Sequence, residues 1–175
     1  MELQEDPAIS VIGLGNLLQL DDGFGPRVVQ WIEEHCVTPP GVEFVDVGTA
    51  GLHILRWVIG RKAVIFLDAV TGGGTPGQLY VYQREQVLAA GRPSGPRFSP
   101  HQPEVREILR MAEVADAMPE VVMIIGVEPV SMDDGLGLSA IVEAMIEPTV
   151  ERLREELARL GVTLVVPAKT VSASA

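Results

Sequence analysis

The chain has 175 residues, 47% of them hydrophobic and 21% charged, a length and balance that suit one folded domain with its own core and exclude a chain disordered throughout. Thirteen Lys and Arg against twenty-four Asp and Glu leave a formal net charge of −11, a field that repels phosphate backbones and anionic headgroups and sets nucleic-acid and membrane-surface binding aside. No apolar run approaches the roughly 18–20 residues of a membrane helix. The acidic opening Met1-Glu2-Leu3-Gln4-Glu5-Asp6 is unlike a secretory signal and Cys36 is the single cysteine, so the expectation is a cytoplasmic protein without an internal disulfide or a multi-cysteine metal site.

Short Val- and Ile-rich runs predict strands at Ile9 to Leu14, Val42 to Val47, Ala63 to Ala69, Val121 to Val127 and Val162 to Val166. They are mostly unbroken, as expected of strands covered on both faces. Leu79 to Tyr82 alternates weakly and is a candidate sixth strand nearer an edge. Between the runs, apolar residues at helical spacing predict helices over Pro26 to Cys36, around Leu52, Leu55 and Ile59, from Pro103 through Ala112, and from Ile146 to Leu160. Pro148 is expected to kink or interrupt the last of these, and Gly161 to end it. Strands alternating with helices indicate an α/β layer fold, read as one domain over residues 1–167 with a frayed tail over 168–175. The loops Thr71 to Gly77 and Gly91 to Pro100 are rich in Gly, Pro or Ser and suit the rim of a cleft.

The first strand runs into Gly13-Leu14-Gly15-Asn16 and on to Asp21-Asp22-Gly23-Phe24-Gly25. A dinucleotide-binding turn starting at Gly13 needs its third glycine at Leu18, and two adjacent carboxylates would repel a pyrophosphate. Asp46 does stand where a ribose-binding acid would. For the acid pair, helix capping is one reading. One acid suffices for that, which leaves the other free to point into the crevice where α/β sheets bind ligands. Asp68 ends a buried strand on the same edge. Among the histidines, His35 and His53 read as surface or dipole-compensating residues. His101 stands just before a predicted helix start, where the partial positive charge disfavours imidazolium and favours the neutral, metal-binding ring. The chain lacks H-E-x-x-H and G-x-S-x-G, so neither a zinc-protease helix nor a serine nucleophile elbow is present. Two carboxylates and an imidazole suit a divalent ion of intermediate hardness, such as nickel, zinc, manganese or cobalt.

The blocks Ile12 to Asn16, Asp21 to Gly25, Asp46 to Gly51, Leu67 to Ala69, Ser99 to Gln102 and Ile125 to Pro129, in this order and spacing, resemble the hydrogenase maturation proteases. That resemblance implies a phosphorylase/hydrolase-like three-layer α/β/α sandwich with a mostly parallel, mixed five-stranded twisted sheet. It also implies an endopeptidase, metal-dependent or aspartyl-type, that removes the C-terminal extension from the precursor of a nickel-iron hydrogenase large subunit. Asp22, Asp68 and His101 fall on the family's metal-contacting positions and are expected to be both the metal ligands and the catalytic residues. The nickel is expected to arrive with the substrate, and no permanently bound cofactor is expected. Many relatives have Glu where this chain has Asp22, so its carboxylate reaches one methylene less far. A non-enzymatic nickel-dependent maturation chaperone, a nucleotide-binding module and an aminopeptidase with its own metal stand as alternatives.

Overall fold

The computed structural model describes residues 7–49, 51–89 and 101–167. Five strands, β1 (Ile9–Leu14), β2 (Val42–Gly48), β3 (Ala63–Ala69), β4 (Leu79–Gln83) and β5 (Val121–Val127), form one sheet in the order β2-β1-β3-β5-β4. All neighbouring pairs are parallel except β4, which runs antiparallel to β5 along the edge. The chain leaves β1 toward β2 on one side and returns to β3 on the other, so the strand order reverses between β1 and β3. In open α/β sheets that reversal opens a crevice beyond the carboxyl ends of the strands.

β1 and β3 are buried at every position, as their unbroken apolar runs predict. Alternate side chains feed two cores. Ala63, Ile65, Leu67 and Ala69 meet Phe24, Val28 and Ile32 of α1 (Phe24–His35) and Leu153 and Leu157 of the C-terminal helix. Val64 and Phe66 face the opposite layer, with Ile54, Val105, Ile108 and Leu109. Burying each such side chain contributes roughly 1.5–3 kcal/mol, so the two cores carry most of the driving force for folding. The result is the expected three-layer α/β/α sandwich with a mixed five-stranded sheet.

Several local expectations differ from the structure. The fifth strand is β4 rather than Val162 to Val166. There, Leu164 is buried, but Val165 makes one isolated antiparallel bridge to Val37, and Val165 and Val166 remain exposed. Leu52 to Trp57 lies in a 3-10 helix, Gly51–Trp57, instead of an α-helix. Two short helices, α2 (Arg84–Ala89) and α4 (Ala140–Glu143), carry no sequence signal of their own length. α3 spans Gln102–Val114 with Pro103 in its first turn, and α5 spans Ile146–Arg159. Pro148 does not kink α5, because it falls in the first turn, where its missing N–H would have had no intrahelical partner. Gly161 (φ +85°) ends that helix as expected. Its N–H donates to the Ala158 carbonyl and that of Val162 to Leu157, the two bonds of a Schellman stop. The Gly91 to Pro100 loop and the 168–175 tail lie outside the described residues. Among the described residues, no helix is long and apolar enough to cross a membrane.

Candidate active site

The glycines after β1 are explained by backbone contact. A Cβ on Gly25 would lie 2.2 Å from the Leu67 carbonyl oxygen and 2.4 Å from that of Leu14, and one on Gly13 would lie 2.7 Å from the Gly25 carbonyl oxygen. The first turn of α1 therefore rests directly on the ends of β1 and β3, an approach that leaves no room for a side chain. Gly15, at φ +138°, would place a Cβ 1.8 Å from the Asp22 carbonyl oxygen, so it lets the 3-10 turn Leu20–Gly23 fold back against the strand end. Asp46 is exposed, and its Oδ1 accepts the Gly48 N–H at 2.9 Å, closing an Asx turn. Both features that suggested a dinucleotide thus have structural roles.

The two adjacent acids divide the work, and neither side chain caps α1, whose N-cap is Gly23. Both acids stand in the turn that leads into α1, yet their hydrogen bonds go to other segments. Asp21 is fully buried and accepts from the Val130 N–H (2.8 Å), the Ser131 N–H (3.1 Å), the Ser139 N–H (2.7 Å) and the Ser139 hydroxyl (3.0 Å). It staples the turn to the 130–139 segment. Asp22, 3% exposed, accepts one bond at Oδ2 from the Asn16 N–H at 2.9 Å, while its buried Oδ1 has no hydrogen-bond partner among the described residues. A buried carboxylate oxygen left unpaired costs free energy, and such groups concentrate where a ligand completes them.

Asp68 is the sixth residue of β3, and strand alternation sets it on the same face as Val64 and Phe66. That face is covered by α3, whose N-cap is His101. The sheet parity and the helix start thus bring Asp68 and His101 together across 33 residues of sequence. His101 Nδ1 lies 3.2 Å from Asp68 Oδ1, and Nε2 stands 3.6 Å from Asp22 Oδ2, an ion-pair separation too long for a hydrogen bond. The imidazole bridges two buried carboxylates. All three predicted site residues converge, drawn from the turn after β1, the end of β3 and the start of α3. Among the described residues, no group of three or more His, Cys, Asp and Glu side chains is arranged to hold a metal ion, since both ring nitrogens of His101 face carboxylates. For the three side chains to meet one cation, the imidazole would have to turn away from one of them.

His35 and His53 are exposed and distant from this edge in role. The His35 ring stacks on Trp31 at 4.5 Å, with Nδ1 2.8 Å from the Trp31 carbonyl oxygen. Cys36 packs partly buried against the core, and burial pushes its thiol up from the ordinary value. Sequence reasoning assigned no role to Glu128, which follows β5. Its Oε2 accepts from the Gly72 N–H (2.8 Å), the Gly74 N–H (3.2 Å) and the Tyr80 hydroxyl (2.8 Å), so it ties down the glycine-rich loop that leaves β3 just after Asp68. Beside His101 opens a cleft lined also by Leu14, Gly48, Thr49, Gly51 and Ile54.

Residues 26–156 match the hydrogenase maturation protease family. The chain is 34% identical over 155 residues to the hydrogenase 2 maturation protease of Escherichia coli K12, covering 88% of this chain and 93% of that one. It is 34% identical over 167 residues to the hydrogenase expression/formation protein HupD of Thiocapsa roseopersicina, covering 91% and 72%. Among solved structures, the hydrogenase maturating endopeptidase HybD of E. coli superimposes with a TM-score of 0.82 at 33% identity, over 90% of this chain and 96% of that one. The hydrogenase maturation protease HybD of Thermococcus kodakarensis, at 23% identity, shares the fold with a TM-score of 0.69 over 86% of this chain and 98% of that one. Family match, full-length relative and superimposed endopeptidase agree, and this chain belongs to the hydrogenase maturation proteases, hydrolases that cut within a polypeptide.

Proposed function

We propose that this endopeptidase acts in the cytoplasm on the precursor of a nickel-iron hydrogenase large subunit, removes its C-terminal extension, and recognises the nickel the precursor carries through Asp22, Asp68 and His101. What supports this reading is the convergence of two nearly inaccessible carboxylates on one imidazole at the strand-order reversal, with Asp22 Oδ1 buried and unpaired. Two anionic oxygens and a nitrogen suit a divalent ion of nickel's hardness. A metal arriving with the substrate would offset the charge of the two carboxylates, so an unloaded precursor would lack the contact that docks it. No resident cofactor is required.

Hydrolysis then needs a water directed at the scissile carbonyl. A carboxylate or the imidazole takes a proton from that water as its oxygen bonds to the carbonyl carbon. The carbon–nitrogen bond breaks as the leaving nitrogen gains a proton. The test is cleavage of nickel-loaded precursor by Asp22→Asn, Asp68→Asn and His101→Ala. Each is expected to lose about 10²–10⁴-fold in rate while melting like the parent protein. Full activity in any one of them removes that residue from the site.

A further inference from the structure

The glycine run that follows β3, just past Asp68, is bound down by a buried acid that the hydrolytic step does not use. We infer that Glu128 is a positioning residue: with Tyr80 it latches the Gly72 to Gly74 turn and thereby holds Asp68 in place against His101. The inference rests on the reading that Asp68 belongs to the reacting edge.

Asp68 lies where the sheet runs out. β1 pairs with β3 only as far as Gly13 opposite Leu67, whereas β5 continues to Val127 opposite Ala69, so the ladder holds Asp68 from one side. Beyond the strand, the Val70 N–H donates to the Val127 carbonyl at 2.8 Å, and the chain then enters Gly72-Gly73-Gly74, a run with exceptional conformational freedom. Glu128 removes that freedom. Its Oε2 accepts from the Gly72 and Gly74 N–H groups and from the Tyr80 hydroxyl. Its backbone closes the far end of the same loop: the Gly77 N–H donates to the Glu128 carbonyl at 2.8 Å, and the Glu128 N–H to the Gln78 carbonyl at 2.9 Å. The glycines fit this latch and larger residues would not. A Cβ on Gly72 would lie 2.5 Å from Tyr80 Cζ and one on Gly74 2.2 Å from Tyr80 Oη, while Gly73 makes the turn between them at φ +81°.

The latch reaches Asp68 through Val70. The Gly72 N–H that meets Glu128 also donates to the Val70 carbonyl at 3.2 Å, which fixes the turn directly behind Val70. Val70 is fully buried on the face of the sheet that carries Asp68. It is seated over Gly126, the register partner of Asp68, where a Cβ would lie 2.2 Å from Val70 Cγ2 and 3.0 Å from the Asp68 carbonyl oxygen. Glu128 is itself 6% exposed, so a loosened loop would strand a buried carboxylate, and its charge favours the closed latch.

The experiment is a double-mutant cycle, read at a temperature where every variant is folded, in kcat/KM on nickel-loaded precursor and in the Kd of that complex. Glu128→Ala should lower kcat/KM by about 100-fold, the scale of a misplacement of about 1 Å. Glu128→Gln keeps an acceptor oxygen for the loop and should come within about tenfold of the parent. Glu128→Ala added to Asp68→Asn should cost nothing further in either quantity, whereas a role confined to the loop would multiply the two losses. In the precursor-free protein, the Val70 amide should exchange about tenfold faster in Glu128→Ala than in the parent. Should the alanine variant fold poorly, Gly74→Ala opens the latch from the exposed loop and should show the same dependence on Asp68. Parent-like cleavage by Glu128→Ala, losses that multiply, or unchanged exchange at Val70 would each overturn the inference and leave Asp68 in the site. Full activity of Asp68→Asn would instead remove Asp68 from the site, and the positioning role would fall with it.

Discussion

The two ends of the sheet treat buried charge in opposite ways. At the amino end, Glu43 on β2 lies opposite Ser10 on β1. Its Oε1 accepts from the Ser10 hydroxyl at 2.6 Å and faces Arg61 Nε at 3.0 Å and Nη2 at 2.9 Å. The anion there is paired and hydrogen-bonded, the condition under which a mostly buried charge is tolerated. At the carboxyl end, two carboxylates share one imidazole and Asp22 Oδ1 has no partner among the described residues. The amino end pairs its anion; the carboxyl end leaves a buried carboxylate oxygen without a hydrogen-bond partner among the described residues. The same contrast recurs between neighbours in sequence, since Asp21 accepts four hydrogen bonds and Asp22 accepts one.

The severest way to break the contrast is to disturb what holds the carboxyl end in place. Gly25→Ala drives a methyl into the Leu67 and Leu14 carbonyls. It should cost about 3 kcal/mol or more in urea unfolding and abolish cleavage through the displaced α1. Asp21→Ala should destabilise by about 3 kcal/mol, because it removes the buried acceptor shared by three backbone N–H groups and the Ser139 hydroxyl. Asp22→Asn should leave the unfolding midpoint unchanged or raise it, since it neutralises one of the two buried carboxylates that flank His101. Equal losses for the two acids would erase the distinction between staple and site. At the other end, Arg61→Met leaves Glu43 without its cation and should cost about 1–3 kcal/mol with cleavage of loaded precursor retained.

The smallest effect concerns Tyr80. Burial, and then its hydrogen bond to the Glu128 carboxylate, push the phenol above its ordinary 10.0. The fold therefore favours the protonated phenol. That contribution is intact below pH 10 and is lost as the pH rises through the folded value. Denaturation midpoints followed from neutral to alkaline pH should fall less steeply in Tyr80→Phe than in the parent. An identical slope would show that the contact with Glu128 does not set this limit.

How much of this could be read from the chain depended on whether the cause was local. β1, β3 and β5 lie where their unbroken apolar runs predict, because a strand buried on both faces writes its whole length in Val, Ile and Leu. Val162 to Val166 has the same composition but sits beyond the helix stop and, among the described residues, makes only an isolated bridge to Val37, so propensity lost to topology. β4 alternates weakly because it is an edge strand, half-buried along most of its length. Asp68 was legible as a strand-end acid and His101 as a residue before a helix. Their contact was not, since it depends on strand parity and on which face α3 covers. Nor could Asp21 be told from Asp22, because the partners that separate them lie 109–118 residues away. Glu128 had no local signal at all, its role being a bond to a loop 54–56 residues earlier. The family resemblance supplied the site triad before any geometry did.

The most direct measurement is the intact mass of a cognate large-subunit precursor, with and without nickel, after incubation with this protein. Loss of a C-terminal peptide from the nickel-loaded precursor alone is the expected result. Equal cleavage of the nickel-free precursor, or an unchanged mass of the loaded one despite complex formation, would contradict the assignment of Asp22, Asp68 and His101 to reading a substrate-borne metal.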